Sequence, residues 1–197
     1  MQDLNETTEI KAFVTEEIRR QIGEARKEID QAIAEVRERT VDDRATIVVF
    51  SGDLDKAIAA MVIATGAASA GLQTSLFFTF WGLSLLKKKG AGRPKHGIKE
   101  KMFTLMTPSS SESLGVSKMN YFGMGSKMLR SMMKDKDIAS LEELFDMARD
   151  LDVKMLACTM SMDAMGIEKE ELVSGLEYGG AAAYLADAAS SRVTLFI

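Results

Sequence analysis

Apolar positions along the chain follow two different rhythms, and the change between them divides the sequence near residue 45. After that point, short runs rich in β-branched and aromatic residues alternate with longer stretches of helical periodicity, a pattern that predicts strands separated by helices. The predicted strands are residues 46–50, 74–80, 153–158 and 192–197, with a fifth around 176–178. The predicted helices include residues 54–70, 118–134, 140–150 and 181–189. Such alternation is typical of parallel sheets with right-handed crossovers, so the predicted fold class is α/β with a mostly parallel sheet of about five strands.

Before that point, the apolar residues of the N-terminal segment repeat at alternating spacings of four and three. They are Ile18, Ile22, Ala25, Ile29, Ala32 and Val36. This spacing predicts one long amphipathic helix, since the segment contains no proline and Gly23 is its only helix breaker. Two interpretations stay open: the helix docks on its own domain, or it pairs with another copy as a coiled coil.

Charge supports the same division of the chain. Residues 1–44 hold 8 Lys/Arg and 12 Asp/Glu, so they account for the whole formal net charge of −4. The predicted organisation is therefore an N-terminal helix for oligomerisation or docking, residues 1–44, followed by one α/β domain, residues 45–197.

The stretch from residue 57 to residue 86 contains no charged residue, which makes it long enough to be a transmembrane candidate. However, polar residues lie near its middle, among them Thr65, Ser69 and Gln73. A buried helix followed by a strand buried on both faces gives the same uncharged length in a soluble α/β domain, and we favour that interpretation. The first twenty residues lack the apolar run of a signal peptide, so the expected location is the cytoplasm.

Composition excludes several classes of site. One cysteine and one histidine in 197 residues exclude an intramolecular disulfide framework and a Cys/His zinc site within one chain. The acidic net charge gives no global field that favours nucleic acid. Asp53 and Asp55 precede or begin a helix, where capping and the helix dipole explain them. No metal, cofactor or nucleic-acid partner is therefore expected.

Candidate chemistry gathers where the predicted strands end, since an open parallel sheet binds ligands at the carboxyl ends of its strands. Residues 51–53 follow the first strand, Trp81 and Gly82 follow the second, and Cys158 ends the third. A thiol at the start of a helix is favoured as the reactive thiolate, which makes Cys158 the one candidate nucleophile. The alternative is a small buried hydrophobic residue, because free cysteines are among the most buried residues.

Two further features lie in the middle of the sequence. Residues 87–101 hold seven Lys/Arg and His96, and are predicted to form an exposed basic loop. Twelve of the fourteen methionines lie between Met102 and Met165, and most are interpreted as core filling.

Four segments, taken in order, resemble the DsrE/DsrF-like sulfurtransferase family. They are SGDLDKA at 51–57, FWGLSLL at 80–86, LGVSKMN at 114–120 and LACTMSMDAMGI at 156–167. The resemblance runs over residues 45–197 and does not include the N-terminal segment. It implies a flavodoxin-like or Rossmann-like fold, a homo-oligomer such as a trimer or hexamer, and a cysteine that carries sulfane sulfur as a persulfide.

The resemblance also assigns residues to roles. Cys158 matches the family's cysteine, while Ser51, Gly52 and Asp53 match its first-strand loop, and Lys118 and Asn120 match its SKMN segment. The latter five are expected to bind substrate. The implied function is a sulfur carrier or sulfurtransferase whose partners are sulfur-donor and acceptor proteins or small thiols. The alternative is a non-catalytic oligomeric binding module in which Cys158 is buried and inert.

Overall fold

Five parallel strands form the sheet at the centre of the computed structural model, which describes residues 2–39, 42–89, 110–118 and 123–197. The strands are β1 (Asp42–Val49), β2 (Gln73–Phe78), β3 (Lys154–Cys158), β4 (Glu177–Gly179) and β5 (Ser191–Phe196). Their order across the sheet is β4-β3-β2-β1-β5, and every pairing is parallel. The predicted fold class is confirmed, including a strand near residues 176–178.

Six α-helices are described around the sheet and before it. They are α1 (Gln2–Arg39), α2 (Leu54–Ser69), α3 (Met124–Asp135), α4 (Leu141–Asp150), α5 (Thr159–Met165) and α6 (Ala181–Ala189). Three short 3₁₀ segments lie between them, at Phe80–Leu86, Ser111–Ser113 and Lys169–Glu171. The chain divides into two compact units, Met1–Thr40, which contains α1, and Val41–Ile197, which contains all the other elements.

The strand order places helices on both faces of the sheet. The chain builds β1 to β4 in one direction across the sheet and then returns to place β5 on the far side of β1. Right-handed crossovers put the helices of the outward path on one face and α6, the helix of the return path, on the other. The first face holds the large core, in which α2 and α4 pack on Ile47, Leu76 and Phe78. We call the other side the α6 face.

Three predicted boundaries differ from the structure by more than one residue. β1 begins at Asp42 rather than residue 46. β2 ends at Phe78 rather than residue 80, since Phe80 has a positive φ of 46° and turns the chain into the 3₁₀ segment. The helix predicted from residue 118 begins only at Met124, because Gly123 before it has a left-handed φ of 79°.

The uncharged stretch 57–86 covers most of α2, then β2 and the 3₁₀ segment Phe80–Leu86. Among the described residues, none of the helices combines the length and the apolar character needed to cross a membrane.

Gly82 packs directly on the carboxyl end of β1. Its backbone N–H donates to the carbonyl oxygen of Phe50 at 2.9 Å, and the N–H of Thr79 donates to Val49 at 3.1 Å. A Cβ atom added to Gly82 would overlap the carbonyl group of Val49, which is backbone and cannot rotate away. Only glycine therefore allows the 3₁₀ segment to cross so close to β1.

We expect Gly82→Ala to destabilise the domain by about 3 kcal/mol or more, because the added methyl group forces backbone apart. The matched control is Gly66→Ala on the exposed side of α2, where nothing lies within 4 Å of the added Cβ. That change should stabilise the protein by about 0.5–1 kcal/mol, because alanine favours helix over glycine. Urea unfolding of the three proteins measures both effects. A Gly82→Ala protein as stable as the wild type would contradict the packing described.

Candidate functional site

The register of the sheet brings the ends of its central strands to one edge. Val49 pairs with Phe78 and Phe78 pairs with Ala157, while Cys158 pairs with Gly179 of β4. The turns that follow β1, β2 and β3 therefore leave the sheet at the same edge, where α/β folds bind their ligands.

One crevice of about 470 Å³ opens at this edge beside the end of β1. Its lining residues are Phe50, Ser51, Gly52, Asp53, Lys56, Trp81, Ser84, Gly115 and Val116. Three of the predicted substrate-binding residues, Ser51, Gly52 and Asp53, thus lie together. Gly52 is tightly placed, since a Cβ there would lie 3.0 Å from the carbonyl oxygen of Trp81.

Hydrogen bonds hold the polar side of the crevice in a fixed arrangement. The Ser51 hydroxyl donates to Oδ2 of Asp53 at 2.9 Å and accepts from the Asp53 backbone N–H at 3.1 Å. The Lys56 ammonium group donates to the same Oδ2 atom at 2.8 Å. The Asp53 carboxylate and the Lys56 ammonium group are therefore paired with each other, so the crevice presents an ion pair and hydroxyl groups to a ligand.

The segment 115–118 is bound to the start of α2. The N–H of Leu54 donates to Gly115 at 2.7 Å, and Ser117 donates to Asp55 through its N–H at 2.9 Å and its hydroxyl at 2.6 Å. Partial burial raises the pKa of Asp55, but the hydrogen bonds from Ser117 lower it by a larger amount. The pKa of Asp55 therefore lies below its usual value. The stability that these bonds contribute is fully present above the pKa of Asp55 in the unfolded state. It is lost as pH falls through the pKa of Asp55 in the folded state.

The remaining predicted residues of this region have different outcomes. Lys118 is exposed and directly follows Ser117, but it does not line the crevice. Asn120 and His96 lie outside the described residues, as does most of the predicted basic loop 87–101.

Ser84 is a crevice residue that the sequence did not indicate. It is fully buried, and its hydroxyl has no hydrogen-bond partner among the described residues. A serine within the apolar run FWGLSLL gives no sign of whether its hydroxyl is paired. Only the placement of the 3₁₀ segment against β1 reveals that the group is buried without a partner from the described part of the chain.

Cys158 ends β3 and immediately precedes α5, as predicted, but its side chain does not line the crevice. It is 2% exposed and packs with Val48, Phe77 and Leu156 on the α6 face of the sheet. Tyr184 of α6 packs against this cluster from outside. Cys158 thus lies at the same edge of the sheet as the crevice, but its thiol is enclosed by apolar side chains.

Cys158 and the first residues of α5, which we call the cysteine turn (residues 158–161), are tied to the sheet. The hydroxyl groups of Thr79 and Ser161 are 2.8 Å apart in a buried hydrogen bond, which joins the end of β2 to α5. Met162 and Met165 are buried in the core, as expected for core filling, whereas Met160 is exposed. Among the described residues, no group of three or more His, Cys, Asp or Glu side chains could hold a metal ion.

Helix α6 covers Cys158, and in the described part of the chain the contacts of Tyr184 and Asp187 hold it on the sheet. Its Tyr184 ring stacks on Phe77 with centroids 5.2 Å apart, and none of its residues is buried. Near its C-terminal end, Asp187 accepts hydrogen bonds from Arg44 at 3.3 Å and from Lys154 at 3.1 Å. Gly179 and Gly180 lie just before its first residue.

The bond to Asp187 raises the pKa of Lys154 above its ordinary value, against the opposing effect of partial burial. Lys154 therefore adds stability at pH values below its unfolded-state pKa, and that stability is lost as pH rises through the folded-state pKa. At neutral pH the ion pairs are intact, and they hold the C-terminal half of α6 on the sheet.

Comparison with known proteins identifies the domain. A family model described as DsrE/DsrF/DrsH-like matches residues 41–196, so the chain belongs to the DsrE/DsrF/DrsH-like family. The predicted family is thereby confirmed.

Two curated relatives match most of the chain. The chain is 47% identical over 154 residues to "Uncharacterized protein YrkE" of Bacillus subtilis (strain 168), a match that covers 78% of this chain and 96% of that one. It is 36% identical over 160 residues to "Sulfur carrier protein DsrE2" of Allochromatium vinosum, covering 77% and 96%. The family match and the second of these relatives support a role in sulfur transfer at the level of the family. Among solved structures, the YchN protein from E. coli matches with a TM-score of 0.46 and 13% identity, over 78% of this chain and 98% of that one.

The contacts of α6 predict how fast Cys158 reacts with a maleimide. Asp187→Asn removes the charge that pairs with Arg44 and Lys154, and should weaken the attachment of α6 by about 1 kcal/mol. The labelling rate of Cys158 should then rise about fivefold. Asp43→Asn is the matched control, because it removes an exposed ion pair with Arg192 elsewhere on the sheet. Equal rates in all three proteins would show that Asp187 does not hold the cover in place.

Proposed function

We propose that this protein is a sulfur carrier that holds sulfane sulfur as a persulfide on Cys158 and passes it to an acceptor thiol. The observation that carries the proposal is the position of the only thiol in the sequence, at the carboxyl end of a central strand of a DsrE-like domain. The relative named as a sulfur carrier supports the same chemistry. A single cysteine suits a carrier, since a dithiol oxidoreductase needs a second one.

The proposed reaction has two displacement steps at sulfur. In the first, the Cys158 thiolate attacks the outer sulfur of a donor persulfide, a new S–S bond forms, and the donor's own S–S bond breaks. The donor leaves as a thiolate with the bonding electron pair, and Cys158 becomes Cys–S–SH. In the second, an acceptor thiolate attacks the outer sulfur of this group and Cys158 leaves as thiolate. The sulfane sulfur keeps its oxidation state, so no external oxidant or reductant takes part.

The apolar cluster around Cys158 suits the resting state of such a carrier. Val48, Phe77 and Leu156 surround the sulfur and exclude water and competing thiols, which would otherwise remove the outer sulfur. Transfer then requires α6 to move away from the sheet. The donor or acceptor would enter where Tyr184 leaves Phe77, while the bond between Thr79 and Ser161 keeps the cysteine turn in place.

The crevice next to β1 is the proposed binding site for the polar part of a donor or acceptor. Ser51, Gly52 and Asp53 line it, and Ser84 adds a buried hydroxyl without a partner among the described residues. Lys118 and Asn120 complete the proposed substrate-binding set. Lys118 is included because it directly follows Ser117, which is hydrogen-bonded to Asp55. A ligand with both an ammonium and a carboxylate group, such as a small amino-acid thiol, would match the cation and anion of the crevice.

The proposal extends to assembly and location. We propose that the protein acts as a homo-oligomer, such as a trimer or hexamer, in the cytoplasm. Its partners would be sulfur-donor and acceptor proteins or small thiols, and not nucleic acid. The proposed reaction needs no metal and no cofactor.

The burial of Cys158 favours a second candidate function, a non-catalytic binding module in which the thiol is inert. The crevice would then bind its ligand without any transfer of sulfur. Under this alternative, Cys158 resists labelling in the native protein and reacts only after denaturation.

Mass spectrometry of the intact protein tests the carrier function. After incubation with polysulfide, the wild type should gain the mass of one or more sulfur atoms, and an added acceptor thiol should remove them. Cys158→Ser should gain none, whereas Met160→Leu, a change at the exposed neighbour, should behave as the wild type. An adduct that persists in Cys158→Ser would refute the assignment. A wild type that takes up sulfur only when denatured would favour the binding module.

A further inference from the structure

Helix α1 lies outside the part of the chain that the family model matches. The family model begins at residue 41, and the two curated relatives are each matched over 96% of their own length. They therefore lack room for a comparable helix. α1 has 38 residues, which corresponds to a rod of about 57 Å at about 1.5 Å per residue. A separate role is needed to explain why this chain carries it.

One face of α1 is apolar and exposed. The large apolar residues of α1 whose side chains the structure describes are each between 46% and 60% exposed: Ile18, Ile22, Ile29, Ile33 and Val36. Ala25 and Ala32 continue the same face and are exposed too. A helix gains most of its stability in water by burying such a face.

The opposite face is already satisfied within the helix itself. Arg20 forms a 2.6 Å ion pair with Glu17 and lies 3.7 Å from Glu24. In the heptad repeat, these three residues occupy the positions farthest from the apolar face. The polar side of α1 is thus built to face water.

The identity of the apolar residues fits two strands. In the four-three spacing, Ile22, Ile29 and Val36 occupy one core position of the heptad, and Ile18, Ala25 and Ala32 occupy the other. Branching at Cβ in the first of these positions is typical of parallel two-stranded coiled coils, in which the second position commonly holds leucine; here the second position holds one isoleucine and two alanines.

Charge beside the core favours the parallel arrangement. An antiparallel pair centred on this segment would bring Arg26 close to Arg26 of the second copy, and Glu28 close to Glu28. A parallel, in-register pair places Gln21 beside Arg26 of the second copy and Glu28 beside Ile33. Like charges facing each other would be destabilising, so the parallel pair is preferred.

We propose that α1 pairs in parallel and in register with α1 of a second copy of this chain, as a two-stranded coiled coil centred on Ile22, Ile29 and Val36. Such a pair is symmetric about a two-fold axis, so each apolar face covers the other. It joins two DsrE-like domains through a contact that is separate from the domains themselves. The inference does not depend on the proposed sulfur chemistry.

Disulfide cross-linking in the full-length chain tests the proposal. In a Cys158→Ser background, Ile22→Cys and Val36→Cys are made separately, and Lys27→Cys on the outer face is the matched control. Identical residues at a core position of a parallel, in-register pair are close enough for a disulfide. After mild oxidation, each core variant should yield at least tenfold more covalent dimer than the control. Adding Ile22→Asp and Ile29→Asp to the Val36→Cys protein should abolish the dimer.

Three results would overturn the proposal. If neither core variant cross-links above the control while circular dichroism shows a folded protein, α1 does not pair with a second copy and covers its apolar face elsewhere. If Ile22→Cys cross-links only when it is mixed with an Ala32→Cys variant, the helices pair antiparallel, because that arrangement places Ile22 opposite Ala32. Wild-type protein that is monomeric by light scattering would lead to the same rejection.

Discussion

Because β1, β2 and β3 run parallel and in register, the position of each residue along a strand fixes both its height in the sheet and the face it occupies. All three strands end at one edge, and the turns after them must leave the sheet within a few ångströms of one another. The crossing of the 3₁₀ segment over β1 depends on this alignment and on Gly82. The crevice, the cysteine turn and the bond between Thr79 and Ser161 are consequences of the same register.

The alternation of faces then determines the surroundings of the thiol. Cys158 lies two residues beyond Leu156 and shares its face, so it is placed away from the large core and beneath α6. Within the part of the chain that the structure describes, that face is covered by one short helix with no buried residue, whereas the other carries α2 and α4. A sulfur carrier needs both a protected sulfur and a way to expose it. A thin cover attached by Tyr184 and Asp187 can provide both.

The fold and the position of Cys158 at the end of a strand could be predicted from the sequence, because β-branched runs and helix signals are local. Its burial could not be predicted in the same way. Which helix covers Cys158 depends on β5 returning to the far side of β1, and the contacts of Asp187 with Arg44 join residues 143 positions apart. Ser84 was missed for the same reason, since the burial of its hydroxyl without a partner among the described residues results from tertiary packing. The late start of α3 depends on the backbone angle of Gly123, which glycine permits but does not require.

The most direct test of the account is the labelling rate of Cys158 with a maleimide at increasing, sub-denaturing urea concentrations. The rate gives the free energy of the opening that exposes the thiol, and its dependence on urea gives the surface exposed in that opening. If α6 moves alone, the opening free energy should be well below the free energy of unfolding, with a much weaker dependence on urea. If both quantities equal those of global unfolding, Cys158 becomes accessible only when the whole domain unfolds, and a carrier whose cover opens in the native state is contradicted.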